Sequence, residues 1–231
     1  QAPRVGEAPG GDPVVFTGRG FAPDFAVWFD LLGGPGPESV ACIVAAANFT
    51  HLTCVPDAAV AGAYDVRITG RNATWACPPG VCSYEVLARV TSMTPAVGLA
   101  SGGVTIDIRG TGFASDPSRH SVVLAPNLSC AIISVNFTSL LCLTPPGLAR
   151  VRTLQLETHG RPYVCDASAL GCGFNAHPTV SSVAPSRVYA SGRDNVTLAG
   201  YGFAANLTDV PTLVSVGGVA WDLRDGADSI A

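Results

Sequence analysis

The sequence VVFTGRGF at residues 14–21 recurs as IDIRGTGF at 106–113 and as VTLAGYGF at 196–203. In the second copy Ile106 and Ile108 alternate with polar residues, a period of two that is typical of a strand with one buried face. The glycines that follow permit a sharp turn and a close backbone approach, and the last Phe is expected to enter the core. One such strand cannot bury its own face. Three copies, starting 92 and 90 residues apart, therefore predict three small β-domains in a row.

The composition excludes several classes of partner. The 231-residue chain has a net charge of −4, which argues against nucleic acid, and all 13 of its basic residues are arginine. No run of 18 apolar residues occurs, so we expect neither a transmembrane span nor direct membrane insertion. The first residues also lack the pattern of a signal peptide.

The eight cysteines have a duplicated spacing. Two pairs lie 12 residues apart, and in both cases the next cysteine follows after 23 residues and begins a shorter pair. An even number in regular pairs favours disulfides and an oxidising compartment. Zinc is the alternative, but there is no Cys-x-x-Cys and the histidines are scattered. The predicted disulfides are Cys42–Cys54, Cys77–Cys82, Cys130–Cys142 and Cys165–Cys172, and each long pair should stabilise its domain by about 3 kcal/mol.

Six Asn-x-Ser/Thr sequons indicate the same compartment. Such a density favours N-linked glycosylation of a eukaryotic secretory protein. Two of them occupy the same place between paired cysteines, where we expect a turn that a transferase can reach. The predicted acceptors are Asn48, Asn72, Asn127, Asn136, Asn195 and Asn206.

The order of turn signals divides the chain into three parts. We expect a first domain at 1–87, a second at 88–176 and a partial third at 177–231. Proline and glycine interrupt every long segment and no apolar stripe has a 3.6-residue period, so no helix is predicted. Short strands, frequent turns and disulfides predict β-sandwiches. No Gly/Ser-rich linker separates the domains, which favours a stiff rod.

The sequence resembles the IPT/TIG domain, an immunoglobulin-like sandwich found in plexins, growth-factor receptors and fibrocystin-like ectodomains. The resemblance is carried by the strand with GRGF or GTGF, the paired cysteines, and a proline after the second cysteine of each pair, as at Pro56 and Pro145. It implies an all-β fold of tandem immunoglobulin-like (IPT/TIG, E-set type) β-sandwiches. The family serves adhesion, signalling, DNA binding and enzyme accessory roles, so the resemblance is more specific for fold than for function.

The motifs of catalysis and cofactor binding are missing from the sequence. There is no Gly-x-Ser-x-Gly, no His-Glu-x-x-His, no phosphate-binding loop and no calcium loop, so we expect no enzyme activity, no cofactor and no metal. The four histidines, which share no spacing, are interpreted as surface or turn residues: His51, His120, His159 and His177.

Two functional hypotheses follow. The first is a structural or adhesive ectodomain that contacts other extracellular proteins or neighbouring repeats. The lysine-free composition together with sequons suits a GC-rich eukaryote such as a green alga, where flagellar-surface or mating adhesion is a specialised form of this role. The alternative is an accessory region of a larger secreted enzyme such as a glycosidase, or a ligand-binding signalling receptor.

The region most different between the first two domains is the loop after the first aromatic strand. Leu31 and Leu32 precede a Gly/Pro-rich segment there, and two adjacent leucines in a loop predict an exposed apolar contact. The competing interpretation is that one of the leucines packs under the edge of the sandwich.

Overall fold

The computed structural model describes residues 5–33, 38–70, 73–76, 82–165, 172–189, 191, 194–203, 214–216 and 219–221. Within these ranges the chain is all-β, as predicted, and its helical content is one short 3-10 turn at Pro117–Arg119. Hydrogen bonding arranges the described strands in five sheets, which we group in chain order into units 1, 2 and 3. The strands of unit 1 are β1 (Val5–Glu7), β2 (Val14–Thr17), β3 (Ala26–Leu31), β4 (Ser39–Ala47), β5 (His51–Pro56), β6 (Gly62–Gly70), β7 (Ala73–Ala76) and β8 (Ser83–Leu87).

In the same described ranges, unit 2 contains eleven strands and unit 3 four. Those of unit 2 are β9 (Arg89–Thr94), β10 (Val97–Leu99), β11 (Thr105–Thr111), β12 (His120–Leu124), β13 (Leu128–Ser129), β14 (Ala131–Asn136), β15 (Ser139–Leu143), β16 (Val151–Thr158), β17 (Arg161–Pro162), β18 (Val164–Cys165) and β19 (Gly173–His177). Those of unit 3 are β20 (Thr179–Ala184), β21 (Thr197–Tyr201), β22 (Val214–Val216) and β23 (Val219–Trp221).

Unit 2 is built from two sheets. One has the order β10-β19-β16-β12-β13 with β17 beside β16, and the other has the order β14-β15-β11-β9-β18. In unit 1 the strands follow β1-β8-β6-β3-β4-β5-β2 with β7 beside β6. The long strand β4 takes the places of both β13 and β14, because its first half pairs with β3 and its second half with β5. The two units therefore share one plan.

Alternating side chains build the cores as the sequence pattern predicts. In β16 every second residue is buried, and Leu154 and Leu156 face the second sheet across the sandwich. On β11 Ile106 and Ile108 are fully buried, and Phe113 after the Gly-x-Gly is buried as well. Burying such side chains away from water is the main stabilising contribution to each unit.

Two expectations about individual side chains are wrong. Leu31 is not a loop residue but the last residue of β3. The alternation of side chains along this strand points Leu31 into the core, where it is 8% exposed. His120 is not a surface residue either, since it begins β12 on the inward face and is 9% exposed.

Candidate functional site: the joints between units

The second glycine of the repeated motif lies at the joint between units 1 and 2. Gly112 has φ +88°, and a Cβ built there would collide with the Cβ of Ala8 in unit 1. The Gly112 carbonyl accepts a hydrogen bond from the backbone N–H of Ala61, with an N···O distance of 2.8 Å. Ala8 and Ala61 are fully buried, and Ala61 is part of the core cluster of unit 2. Only glycine satisfies both the left-handed backbone and the close approach.

The same geometry recurs between units 2 and 3. Gly202 has φ +91°, and a Cβ there would lie 2.5 Å from the Cβ of Ala100 and 3.0 Å from the Cβ of Ala149. The Gly202 carbonyl accepts a hydrogen bond from the Ala149 N–H at 3.0 Å. The two alanine pairs occupy equivalent sequence positions. Ala8 and Ala100 each come two residues after a glycine, and Ala61 and Ala149 each come seven residues after the second cysteine of a long pair. Each joint thus consists of one glycine docked on an alanine pair of the preceding unit.

The first glycine of the motif admits a crossing strand. A Cβ at Gly110 would collide with the backbone carbonyl of Arg89 on β9, and one at Gly200 would collide with the carbonyl of Thr179 on β20. Both ladders shift register at this point, between Arg109 and Gly110 in unit 2 and opposite Gly200 in unit 3. A β-bulge at a glycine lets the strand that enters from the preceding unit pass close to β11 or β21.

Polar contacts surround the first joint. The hairpin joining β16 to β17 turns at His159, with φ 51°, and Gly160, with φ 68°, and two consecutive left-handed residues make the tight turn that suits the twist of a hairpin. The turn carries the His159 imidazole to unit 1, where Nδ1 lies 2.9 Å from the Ala61 carbonyl oxygen and therefore donates to it. Ala61 is held at both its N–H and its C=O by unit 2.

Three arginines of unit 2 add further contacts. Arg161 forms an ion pair with Glu85 at 3.1 Å, Arg119 donates to the Gly33 carbonyl at 3.3 Å, and Arg89 forms an ion pair with Glu7. The ion-paired side chains are 30–41% exposed and Arg119 reaches only a backbone oxygen, so each contact contributes little to stability.

His120 supports the joint from inside unit 2. Its Nε2 donates to the Ala114 carbonyl at 2.8 Å, so its Nδ1 accepts from the Thr158 hydroxyl at 3.0 Å. Its ring packs edge-on against Phe113, with 6.2 Å between the centroids. Burial lowers the pKa of His120 below its ordinary value of 6.5, because the charged form loses its water.

Three disulfides lie within the described residues, and they are three of the four predicted pairs. They are Cys42–Cys54, Cys130–Cys142 and Cys165–Cys172, with Cα–Cα distances of 5.4, 5.6 and 6.5 Å. Cys82 is disulfide-bonded as well, while Cys77 lies outside the described residues. The first two disulfides join neighbouring strands of the sheet that carries the Gly-x-Gly-Phe motif, so they brace the element that forms the joint.

The sequons at Asn48 and Asn136 occupy equivalent exposed turns. Asn48 Oδ1 accepts from the N–H groups of Thr50 and His51, and Asn136 Oδ1 accepts from those of Thr138 and Ser139. Because these bonds use Oδ1, a glycan attached at Nδ2 would leave the turn unchanged. Asn127 and Asn195 are also exposed, while Asn72 and Asn206 lie outside the described residues.

The two leucines of the predicted apolar contact lie in different environments. Leu31 is in the core, whereas Leu32 is 47% exposed at the start of the loop. The Gly/Pro-rich residues 34–37 lie outside the described part of the chain. Leu32 is therefore the remaining candidate for a partner contact at this site.

Within the described residues there is no group of three or more His, Cys, Asp or Glu side chains arranged to hold a metal ion. That part of the chain also contains no helix with the length and apolarity needed to cross a bilayer.

Comparison with known protein families finds one model that matches unit 2. Residues 88–170 match the IPT/TIG domain. This part of the chain is similar to that family, and the predicted immunoglobulin-like E-set fold is confirmed.

The relatives found by sequence are large proteins. Human Fibrocystin-L is 24% identical over 204 residues, which cover 87% of this chain and 5% of that protein, and mouse Fibrocystin-L is 25% identical over 135 residues, covering 57% and 3%. The chain thus spans about a twentieth of the length of the human relative. Among solved structures, the extracellular region of plexin A4 covers 95% of this chain and 21% of its own at 12% identity and a TM-score of 0.31.

The disulfides indicate an oxidising, extracellular location for this part of the chain. The sequence alone does not reveal the role of the alanine pairs. Their signal is present in the repeat itself, because alanine recurs at both equivalent positions of the first two units. Alanine is so common in this chain that the recurrence alone does not indicate a contact.

Proposed function

We propose that the protein is a non-enzymatic structural or adhesive ectodomain, in which IPT/TIG-like domains at 1–87, 88–176 and 177–231 form a stiff rod. The rod presents protein-binding surfaces and N-linked glycans to other extracellular proteins. The similarity covers 87% of this chain for human Fibrocystin-L and 57% for mouse Fibrocystin-L, which supports a role inside a larger array of domains.

The observation that carries the proposal is the burial of Ala61. This residue belongs to unit 1 in sequence, yet its side chain packs in the core of unit 2 and its N–H and C=O both bond to unit 2. A flexible linker leaves the facing surfaces of two domains in water. Two units that share a buried residue must instead reorient by breaking apolar and hydrogen-bonded contacts together, so the joint resists bending.

Small-angle scattering of the whole chain tests stiffness. We expect one elongated shape for the wild type and a broader range of shapes for Gly112→Val, since the added methyl groups collide with Ala8. Gly11→Val is the matched control, because Gly11 has φ +93° and a Cβ added there would meet open space. A wild type that requires a broad ensemble of angles between units contradicts the proposal.

We further propose Leu32 as part of a protein-contact surface. Leu32→Asp should leave secretion and thermal stability nearly unchanged while reducing self-association or cell-surface binding, because an exposed leucine contributes through contact. Leu31→Asp is the neighbouring comparison and should prevent folding of unit 1, since it puts a charge into the core. Normal association of the Leu32→Asp protein would place the contact elsewhere.

A further inference from the structure

Ala61 and Ala149, the second alanines of the two pairs, each donate an N–H to the glycine carbonyl of the next unit. We call them the docking alanines. In unit 1 the Tyr64 hydroxyl donates to the carbonyl of Val60, with an O···O distance of 2.7 Å. Tyr64 lies on β6 and is fully buried. A core side chain of unit 1 therefore bonds to the residue just before its docking alanine.

Unit 2 makes the same bond with a different type of residue. Arg152 on β16 donates from Nη2 to the carbonyl of Leu148, the residue before the docking alanine, at 2.9 Å. Tyr64 and Arg152 both stand ten residues after the second cysteine of a long pair. They are also equivalent in the sheets, since Tyr64 is opposite Tyr84 on β8 and Arg152 is opposite Phe174 on β19.

The bonded carbonyl and the docking N–H belong to one peptide group. The C=O of Val60 and the N–H of Ala61 lie in one plane and point in opposite directions, because a trans peptide is planar. Tyr64 bonds to one end of this group, and the other end donates to the Gly112 carbonyl. A donor at the C=O therefore fixes the direction of the N–H, and it also polarises the amide and strengthens that N–H as a donor. The same chain of bonds runs through the equivalent peptide of unit 2.

The first alanine of each pair is bonded to the same loop. The Ala59 N–H donates to the Ala8 carbonyl at 2.9 Å, and the Gly147 N–H donates to the Ala100 carbonyl at 2.8 Å. In both units one backbone bond ties the loop to the first alanine, and one side-chain bond ties it to the core. The whole arrangement is repeated, and the residue that supplies the side-chain donor is its variable part.

The burial of Arg152 is otherwise unfavourable. The residue is 4% exposed, it has no carboxylate partner in the described part of the chain, and its Nε is buried without a hydrogen bond. Burial lowers the pKa of Arg152 below its usual range, because the charged form has lost its water. An uncompensated charge destabilises a core. An apolar residue here would avoid that cost and would lose the bond to Leu148.

The loop of unit 2 has room for the guanidinium because of a glycine. A Cβ added at Gly147 would lie 3.0 Å from Arg152 Nη2 and 3.0 Å from a methyl carbon of Leu128. In unit 1, where the donor is a tyrosine hydroxyl, the counterpart of this glycine is Ala59, whose side chain is buried. Loop and donor are thus matched within each unit.

We propose that Tyr64 and Arg152 are positioning residues of the two joints. Each orients the peptide of a docking alanine, Ala61 or Ala149, so that its N–H points at the glycine carbonyl of the next unit. The inference rests on the proposed function, because it assigns the side chains that hold the rod's joints in place.

Tyr64→Phe removes the donor oxygen and keeps the ring. In NMR of the whole chain, exchange of the Ala61 amide should accelerate by roughly tenfold relative to the core amides of β6, because its peptide loses one of the two bonds that orient it. Tyr84→Phe is the matched control, since it removes a hydroxyl from the same core at a residue on β8. It should leave the ratio for Ala61 as in the wild type.

Arg152→Met keeps a long unbranched side chain and removes the donors. Exchange of the Ala149 amide should accelerate by a similar factor relative to the core amides of β16, although the variant also removes a buried charge. Arg152→Lys keeps a donor even when its amine is neutral, and should restore most of the protection. Tyr163→Phe is the control in unit 2, because the Tyr163 hydroxyl donates to the carbonyl of Leu154 on β16 instead.

An unchanged exchange ratio in Tyr64→Phe or in Arg152→Met would overturn the inference. Equal acceleration in Arg152→Lys and Arg152→Met would overturn it as well, because the effect would then come from packing and not from the donor. Fast exchange of the Ala61 amide in the wild type would contradict the stiff rod itself, so the two failures are distinguishable.

Discussion

The copies of Gly-x-Gly-Phe in units 1 and 2 have the same sequence pattern and different surroundings. Phe113 is fully buried and Gly112 lies against Ala8, whereas Phe21 is half-buried and Gly20 has open space around it. Both glycines nevertheless adopt nearly the same left-handed backbone, with φ +88° and +84°. The turn is therefore local, while the burial of the motif comes from a neighbouring unit.

Removing the phenylalanine should show the largest difference between the two copies. Phe113→Ala should destabilise unit 2 by about 3–5 kcal/mol, since it leaves a cavity in the core. Phe21→Ala should destabilise unit 1 by roughly half of that, because much of the ring is already in water. Native-state hydrogen exchange of β11 and β2 amides measures the two values, and equal losses would contradict the comparison.

Adding a side chain to the second glycine separates backbone strain from collision. Valine at either Gly112 or Gly20 costs about 1–3 kcal/mol for a left-handed backbone. At Gly112 the collision with Ala8 adds about 1–3 kcal/mol more. Urea titrations of the two variants should differ by this second amount. Identical midpoints would mean that the joint accommodates the valine side chain without loss of stability.

The buried His120 makes the stability of unit 2 depend on pH. Unit 1 has no counterpart of this residue, because Phe25 fills the equivalent position against Gly70. The pKa of His120 is lowered in the folded state, so the unfolded chain binds more protons as the pH falls. The stability that this residue contributes is complete above about pH 6.5 and is lost below it, by at most about 1.4 kcal/mol per pH unit.

Melting curves between pH 7.5 and 5.5 test this dependence. The slope should disappear in His120→Gln and persist in His51→Gln, since His51 is exposed. An unchanged slope in His120→Gln would assign the effect to another group.

The ion pair across the joint should have the smallest effect. Arg161 and Glu85 are 41% and 30% exposed in their side chains, so Arg161→Ala should change stability by less than about 1 kcal/mol. Its effect should shrink further in 1 M salt, where charges at the surface are screened. A loss that is large and insensitive to salt would mean that the arginine packs as well as pairs.

The sequence predicts local features well and contacts between units poorly. Alternation in β11 and β16 and the spacing of the cysteines are periodic, so the strand faces and three disulfide pairs can be inferred from residue order. The expectation for Leu31 fails because the Gly/Pro-rich segment after it resembles a loop, while β3 in fact continues to that residue. The expectation for His120 fails because a lone histidine carries no signal of the Thr158 hydroxyl and Ala114 carbonyl that satisfy its ring.

The joint itself could not be predicted, since Gly112 is separated from Ala8 and Ala61 by many tens of residues. Glycine has no side chain to mark a contact, and alanine is common throughout this chain. Only the recurrence of the same bond between Ala149 and Gly202 shows that the contact belongs to the repeat.

Hydrogen exchange of the Ala61 amide, resolved by NMR on the whole chain, tests the joint most directly. This N–H donates to the Gly112 carbonyl across the boundary between units, at 2.8 Å, and lies in a connection between β5 and β6. If units 1 and 2 are one rigid body, the Ala61 amide should exchange as slowly as the core amides of β11. Exchange as fast as that of an exposed loop amide would show that the two units separate in solution, and would contradict the account of a stiff rod.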